Sequence, residues 1–381
     1  MKNGLCSVLL LLRPALRRLC AVAVAALLSC SAWAQVAVKD NITWDELLVA
    51  ARAEGSVIVF GPPGAPARSV FVDEFHKAHP GIRVSFEGAQ GPGHLTKILA
   101  AQQAGRPLAD LFIGGPQPAL QLRDVKLAQP LVPALLLPDA RDPSRWQGGR
   151  FDFVDKERQY AIAYAGGPVE PFLFNSERVK EGEITSWWDL LQPRYRGKIM
   201  VNDPLVPGPT VGKINHFLSD ETLGEKFVRA LLDPANQFLI TRDDRQIAEQ
   251  VARGSYWIGI GGTWSTAAPI AKQIPALKIY PPALLKEGTM LTSGRGNLVL
   301  LANAPNPHAA RVYLNWVLSR AGQQAISIAM GDPSGRTDVN AEGVSPVLRN
   351  DQRIKLFTEH HENVLAGRAR AVKVAREAMG R

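Results

Sequence analysis

The sequence predicts an α/β fold with two lobes, each an open and mostly parallel sheet flanked by helices. Three observations lead to this prediction. Residues 56–115 alternate apolar, β-branched runs with segments of helical spacing in the order β-α-β-α-β, which requires parallel pairing through right-handed crossovers. A similar alternation recurs in the second half of the chain. The chain of 381 residues is also too long for a single hydrophobic core.

In the first half, strands are predicted at residues 56–61, 82–86 and 108–115. Each of them ends in a glycine-rich segment, and open sheets of this kind bind ligands beyond the carboxyl ends of their strands. Backbone amides and helix N-termini can approach a ligand there. We therefore predict ligand contacts from six residues at or near these strand ends: Pro63, Gly64, Arg68, Gln90, Gly115 and Gln117.

The second half repeats this arrangement. Strands are predicted at residues 197–201 and 256–260, and they run into the polar and glycine-rich segments 202–212 and 261–265. By the same reasoning, ligand contacts are predicted from five residues of these segments: Asp203, Thr210, Thr263, Trp264 and Ser265.

Two helix starts are predicted from capping boxes, in which a serine or threonine precedes an acidic residue by three positions. The first box is Thr43 with Glu46, and the second is Ser186 with Asp189. Apolar residues follow each box at helical spacing, so we expect a helix to begin at both places.

The first 34 residues are predicted to be a signal peptide. They contain basic residues and no acidic ones, an apolar run from Leu19 to Leu28, and a small-residue cleavage signal that ends at Ala34. The apolar run has about half of the roughly 20 residues that a membrane-spanning helix needs. We therefore expect export to the periplasm with cleavage after Ala34. Anchoring through a lipid on Cys30 is the alternative, because residues 27–30 loosely resemble a lipobox.

Removal of this leader changes both the cysteine count and the charge. Its three cysteines are the only ones in the sequence, so the mature chain has no disulfide, no thiolate metal site and no cysteine nucleophile. The net charge of the full chain is +9, and the leader carries four of the positive charges. A modestly basic surface is compatible with an anionic ligand, but it lacks the clustered charge of a nucleic-acid binder. The densest basic run, residues 368–381, is interpreted as a solvated terminal helix.

A set of short motifs occurs in a fixed order along the second half of the chain. They are Phe174-Asn175, Trp188-Asp189-Leu190-Leu191 with Pro193, Gly197-Lys198-Ile199, the run 304–310, the run 316–319 and Gly322-Gln323. This ordered set resembles the periplasmic solute-binding proteins of ABC importers, in particular the subgroup that includes ferric-ion, thiamine and phosphonate binders. The resemblance extends over nearly the whole mature chain.

The resemblance implies two α/β lobes that close about a hinge over one solute and deliver it to an ABC permease in the inner membrane. Such a protein is expected to be a monomer that needs no cofactor, binds no nucleic acid and catalyses no reaction. We place the first lobe at residues 35–128 and 290–340 and the second at residues 129–289 and 341–381. Chain crossings between the lobes are expected near residues 114–128 and 280–297.

One departure from the subgroup narrows the choice of solute. Ferric-binding members hold iron with adjacent tyrosines at the strand end that corresponds to residues 261–265, whereas this chain has Thr263, Trp264 and Ser265 there. An indole cannot ligate ferric iron. A small organic anion fits better, because Trp264 can stack on it and arginines recognise carboxylate or phosphate groups. The arginines predicted to do so are Arg68, Arg295 and Arg336.

No catalytic or metal-binding constellation is predicted. His76 and His79 lack a nearby carboxylate, and residues 359–362 (Glu-His-His-Glu) are interpreted as a solvated turn of the terminal helix. No nucleophile elbow or phosphate-binding Walker loop is present in the sequence. Three alternatives stay open: a periplasmic enzyme acting on a similar ligand, a ferric binder with other ligands, and a sensor that presents the solute to a receptor.

Overall fold

A computed structural model describes residues 42–89, 91–206, 208–340, 342–349 and 353–381. The predicted signal peptide, its cleavage site and Cys30 lie outside the described residues. Within those ranges, no helix combines the length and the apolar character that a membrane crossing requires.

The strands are β1 (Ser56–Gly61), β2 (Arg83–Gly88), β3 (Leu111–Gly114), β4 (Ala128–Gln129), β5 (Ile162–Ala163), β6 (Gly167–Pro168), β7 (Leu173–Asn175), β8 (Ile199–Asn202), β9 (Leu239–Thr241), β10 (Ile258–Ile260), β11 (Leu277–Ile279), β12 (Thr289–Thr292), β13 (Asn297–Leu301) and β14 (Leu356–Thr358). The helices are α1 (Trp44–Glu54), α2 (Ala65–Arg68, continued by the π-helical Ser69–Glu74 and by Phe75–Ala78), α3 (Gly91–Gln103), α4 (Pro116–Asp124), α5 (Pro138–Arg141), α6 (Pro209–Ser219), α7 (Gly224–Leu231), α8 (Asp244–Ala252), α9 (Trp264–Gln273), α10 (Pro307–Leu318), α11 (Arg320–Met330), α12 (Glu362–Leu365) and α13 (Arg368–Ala378). Both predicted capping boxes are confirmed, although the second opens a 3-10 helix, Trp187–Leu191.

The predicted α/β fold is confirmed, with two main sheets. The first has the order β2-β1-β3-β13-β4, with β5 also paired to β13, and the second has the order β11-β7-β10-β8-β9. Each contains parallel pairs, such as β1 with β2 and β8 with β10. Each also contains one strand that runs against its neighbours, β13 in the first sheet and β7 in the second. These two strands directly follow chain segments that arrive from the other sheet.

Side chains on both faces of each sheet are buried. In the first sheet, Val57 and Val59 pack into one cluster while Phe60 packs into another on the opposite face. In the second sheet, Phe172 and Phe174 contribute to one cluster and Leu173 to the other. This alternation follows from the two-residue period of a strand. Helices cover both faces, so each sheet has its own core and forms its own lobe.

A third, small sheet joins the two lobes. Its order is β14-β12-β6, and each strand belongs to a different crossing of the chain between the lobes. The expected crossing near residues 280–297 is present, since it contains β12. The one expected near residues 114–128 is wrong, because β4 and β5 both pair with β13 of the first sheet, and the chain crosses only at β6. The third crossing, through β14, has no counterpart in the prediction.

The segment between β4 and β6 belongs to the first lobe. Leu131, Trp146 and Tyr164 pack into the same cluster as Val57 of β1. The sequence-based boundary at residue 128 placed this segment in the second lobe. The apolar side chains of this proline-rich traverse instead cover one face of the first sheet.

Candidate functional site

A cleft of about 630 Å³ opens where the crossing strands meet the two lobes. Its volume lies within the range of small-molecule sites. Both lobes and all three crossings contribute to its walls. The lining residues used below are Pro116, Val169, Glu170, Pro209, Gly212, Lys213, Thr263, Trp264, Ser265, Met290, Ser293, Arg295, Asp332, Leu348, Glu359 and Arg368.

Three helices begin at the cleft, namely α4, α6 and α9, and their first residues Pro116, Pro209 and Trp264 line it. None of the three has a hydrogen bond from an N-cap side chain. The first N–H groups of a helix have no partner within the helix, and they carry partial positive charge. Three helix N-termini at one cleft therefore favour negative charge there.

One of these termini is already occupied by a carboxylate of the protein. The Glu170 Oε1 atom accepts a hydrogen bond of 2.6 Å from the Trp264 N–H. Glu170 also places its backbone oxygen 2.6 Å from the Nζ atom of Lys213, which donates to it. The start of α9 is thus linked to the middle of α6 through a residue of the first crossing segment.

Burial shifts the pKa values of both charged groups. Desolvation lowers the pKa of Lys213 to about 8, although Glu170 and Asp244 oppose this shift. Desolvation likewise raises the pKa of Glu170, against the attraction of Lys213. The charged form of each group is therefore less favoured here than it is in water.

Two ion pairs also line the cleft. The Nη2 atom of Arg368 donates to Glu359 Oε2 over 2.8 Å, and its Nε atom donates to Oε1 of the same carboxylate. Arg295 donates from Nε to Asp332 Oδ2 over 3.1 Å and from Nη2 to a backbone oxygen. The described lining residues thus include three cations and three carboxylates, and two of each form these ion pairs.

Four of the residues predicted from sequence line this cleft: Thr263, Trp264, Ser265 and Arg295. Gly115 is the N-cap of α4 beside Pro116, and Thr210 is buried in the first turn of α6 without lining the cleft. Pro63, Gly64, Arg68, Gln117 and Asp203 are also not among the lining residues. Gln90 lies outside the described residues.

The predicted contacts after β1 and β2 miss the cleft because of strand order. These two strands form the far edge of the first sheet, while the cleft adjoins β13 and the segment before it. Arg68 donates instead to the backbone oxygen of Phe86 at 3.4 Å. Asp203 accepts from Arg242 Nε at 3.0 Å and from the Leu205 N–H at 3.0 Å, so it closes a turn.

The prediction that Arg336 binds the solute is also wrong for this structure. Its side chain is fully buried and pairs with Asp139 at 2.7 Å and with Asp338 at 2.8 Å. Nη1 donates to the backbone oxygens of Asp139 and Leu318, each at 3.0 Å. Its guanidinium is thus saturated by the protein and ties three segments of the first lobe together.

Four cleft residues were missed by the sequence analysis: Glu170, Lys213, Glu359 and Arg368. Lys213 follows the glycine-rich start of α6 by one turn, which is a signal that sequence reasoning could have used. Glu359 and His360 were interpreted as a solvated turn, yet they are 0 % and 1 % exposed. They follow β14 directly, so they belong to the third crossing instead of the terminal helix.

One histidine cluster beside the cleft has the composition of a metal site. The Nε2 atoms of His360 and His361 each lie 2.7 Å from an oxygen of Asp152. Although burial opposes the shift, the two histidines hold the pKa of Asp152 below its usual range. The Nδ1 atom of His360 accepts the Ser293 N–H at 3.1 Å, so its proton sits on Nε2 and points to Asp152. That tautomer leaves His360 no free lone pair for a metal.

The two lobes, the connecting strands and the cleft define a two-lobed solute-binding protein. The sequence model of the bacterial extracellular solute-binding protein family matches residues 71–354, so the chain belongs to this family. The predicted resemblance is confirmed. Membership implies a periplasmic or extracellular location. One structural neighbour, with 19% identity and a TM-score of 0.64 over 85% of this chain and 94% of the neighbour, is the substrate-binding protein of an ABC transporter from Agrobacterium tumefaciens.

Individual relatives are distant. An uncharacterized protein of Haemophilus influenzae is 25% identical over 294 residues, which cover 74% of this chain and 78% of the relative. The periplasmic binding protein AfuA of Actinobacillus pleuropneumoniae is similar with 22% identity and a TM-score of 0.58 over 86% of this chain and 99% of AfuA. HitA of Pseudomonas aeruginosa is similar with 14% identity and a TM-score of 0.61 over 85% of this chain and 99% of HitA. At these identities the likeness to the two structures concerns the fold.

Proposed function

We propose that this protein is the periplasmic substrate-binding component of an ABC importer for a small organic anion bearing a carboxylate or phosphate group. The observation that carries the proposal is the convergence of three helix N-termini on one cleft, of which that of α9 binds Glu170 while those of α4 and α6 have no side-chain cap. Their N–H groups are directional donors that suit anionic oxygens. Lys213, Arg295 and Arg368 add cationic donors around the same space.

The apolar part of the cleft suits an organic body on such a ligand. Trp264, Met290, Val169 and Leu348 line it between the charged pairs. An indole offers a flat surface on which a ring or an apolar stem can pack. The cleft thus combines a few polar anchor points with an apolar wall, as small-molecule sites do.

The ligands of two structural neighbours have compatible chemistry. AfuA carries bound fructose-6-phosphate, and the Trichodesmium protein FutA, with 16% identity and a TM-score of 0.64, carries iron and citrate. Phosphate and carboxylate groups therefore occur among ligands of this fold. A ferric ion held by tyrosines is disfavoured here, because no tyrosine is among the described residues that line the cleft.

Capture and delivery are proposed to follow the hinge mechanism of such folds. The solute docks on groups of both lobes, and closure occurs because these contacts are better satisfied in the closed state. The loaded monomer then delivers the solute to the permease. This role requires export, so N-terminal sequencing of protein from the periplasm should begin at Gln35; a retained N-terminus or a lipid on Cys30 would argue for anchoring.

Native mass spectrometry of the mature protein, purified without refolding, tests the proposed ligand class. We expect a bound small molecule that carries carboxylate or phosphate and is released unchanged on denaturation. A bound metal without an organic companion would overturn the organic-anion class. A released product that differs from the captured molecule would indicate an enzyme. A Trp264→Ala variant should retain less of the molecule, while Trp188→Ala, at a site away from the cleft, serves as a control.

A further inference from the structure

The structure brings Arg368 to the cleft from outside the region that matches the family. The family match ends at residue 354. Arg368 opens helix α13, and both Arg368 and Glu359 line the cleft. Whatever these two residues contribute to ligand binding is therefore a feature of this chain beyond the matched family sequence.

The arginine is held by a buried carboxylate. Glu359 is fully buried, and its two oxygens accept from Nε and Nη2 of Arg368. This two-point contact fixes the plane of the guanidinium group. Among the described residues, no partner faces the remaining Nη1 atom, and the arginine side chain is 31% exposed. One edge of the guanidinium is thus fixed by the protein, and the other edge of this cleft-lining side chain has no partner among the described residues.

A glycine leaves room for this side chain. A Cβ atom on Gly212 would lie 3.5 Å from Arg368 Nη2 and 3.2 Å from the Met290 sulfur. Gly212 lies in the first turns of α6, whose N-terminus opens onto the cleft. The guanidinium therefore lies against the same helix that offers free N–H groups, and both features favour an anionic oxygen.

We propose that Arg368 is a specificity-determining residue that binds a carboxylate or phosphate oxygen of the solute through its free edge, with Glu359 as its positioning residue. This inference rests on the proposed function, because it assigns a residue to the anion of the same cleft. Arg368 offers a fork of donors in a fixed plane, so it selects the anion by the direction of its oxygens. A lysine at this position would supply the charge without the fixed direction.

The test compares Arg368→Lys with Arg370→Lys in the full mature protein. Arg370 lies on the same helix, is 61% exposed and pairs with Glu225, so it is a matched control. Inorganic phosphate, citrate and fructose 6-phosphate are titrated into each protein by calorimetry. For any probe that the unmodified protein binds, Arg368→Lys should weaken affinity on the order of tenfold, the loss of one hydrogen bond to a charged group. Arg370→Lys should leave affinity within about twofold.

The outcomes separate this inference from the proposed function. If the unmodified protein binds a probe and Arg368→Lys binds it equally well, Arg368 is not a ligand residue and only this inference falls. If the unmodified protein binds none of the three probes, the anion identified by native mass spectrometry is titrated in their place, and if no such anion is found the anionic class itself falls. Melting curves show whether Arg368→Lys is folded; if it is not, Glu359→Gln combined with Arg368→Gln removes both charges of the pair and takes its place.

The positioning role of Glu359 has its own readout. Glu359→Gln should weaken binding of the same probe in the unmodified background and have no effect in the Arg368→Lys background. A merely structural glutamate would lower affinity equally in both backgrounds, and that result would remove Glu359 from the proposal.

Discussion

Substitution of Arg336 by methionine should destabilise the protein without changing solute affinity. The substitution removes a fully buried guanidinium and its bonds to two carboxylates and two backbone oxygens. Methionine keeps much of the apolar stem of the side chain but none of the donors. Asp139 and Asp338 are 46% and 24% exposed, so solvent can take over part of their lost interaction.

The expected loss in free energy of unfolding follows from the exposure of these two carboxylates. Removal of one partner from a buried ion pair costs about 3–5 kcal/mol, and partial solvation of both carboxylates places this site at the lower end, about 3 kcal/mol. The entropy of unfolding is roughly 2.1 cal/mol/K per residue, or about 0.7 kcal/mol/K for the part of the chain that forms the two lobes. We therefore expect a decrease in Tm of about 4 °C.

Differential scanning calorimetry of the ligand-free protein measures this shift, and titration with the captured solute measures affinity. Arg68→Met is the control, because Arg68 makes a single long contact with a backbone oxygen on the surface. It should change Tm by less than about 1 °C. If Arg336→Met kept its Tm but lost tenfold or more in solute affinity, the structural role of Arg336 would be refuted and a ligand role restored.

Gly288, Lys213 and Ser293 each allow a substitution with a distinct expected outcome. Gly288 has a φ of +68°, and a Cβ there would lie 1.9 Å from the Lys355 backbone oxygen, so Gly288→Ala should lower the free energy of unfolding by at least about 2 kcal/mol in urea titrations. Since the pKa of Lys213 is about 8, anion affinity should fall by up to tenfold per pH unit above pH 8 in calorimetric titrations, and Lys213→Met should abolish this dependence. The buried Ser293 hydroxyl has no partner in the described structure, so Ser293→Ala should not lower Tm, whereas Ser319→Ala removes a helix cap and should cost about 1 kcal/mol.

Burial of Lys213 also makes the stability of the fold depend on pH. Its folded pKa lies below the usual 10.5, so the unfolded chain binds more protons between pH 8 and 10.5. Stability contributed by this group therefore rises with pH across that window. An anionic ligand has the opposite preference, because it binds the ammonium form. The two opposed pH dependences distinguish a ligand-contacting lysine from one that is only buried.

Local features of the fold could be predicted from the sequence. The capping boxes at Thr43 and Ser186 depend on residues three positions apart, and both are present in the structure. The segment 261–265 was identified as a strand end facing a ligand, and it does line the cleft. In each case the structure depends on side chains that are close in sequence.

Features that depend on distant pairing could not be predicted. Strand β13 pairs with β3, β4 and β5, and this arrangement moves the segment between β4 and β6 into the first lobe. The burial of Glu359 likewise depends on β14 lying beside β12. A Glu-His-His-Glu run carries no local signal that distinguishes a crossing strand end from a solvated turn. Arg336 looked like an anion ligand for the same reason, since its partner Asp139 is far away in sequence.

The charge balance of the cleft indicates how it selects a solute. The three cations of the cleft lining are balanced by three carboxylates, so the cleft presents little net positive charge to attract anions in general. What remains available to a ligand is a set of donors with fixed directions, namely the N–H groups at the starts of α4 and α6 and the free edge of the Arg368 guanidinium. Donors of this kind bind an anion tightly when its oxygens match their positions, and they bind other anions weakly. The internal carboxylates thus lower affinity for the wrong anions, and the same arrangement that makes the cleft weakly attractive makes it selective.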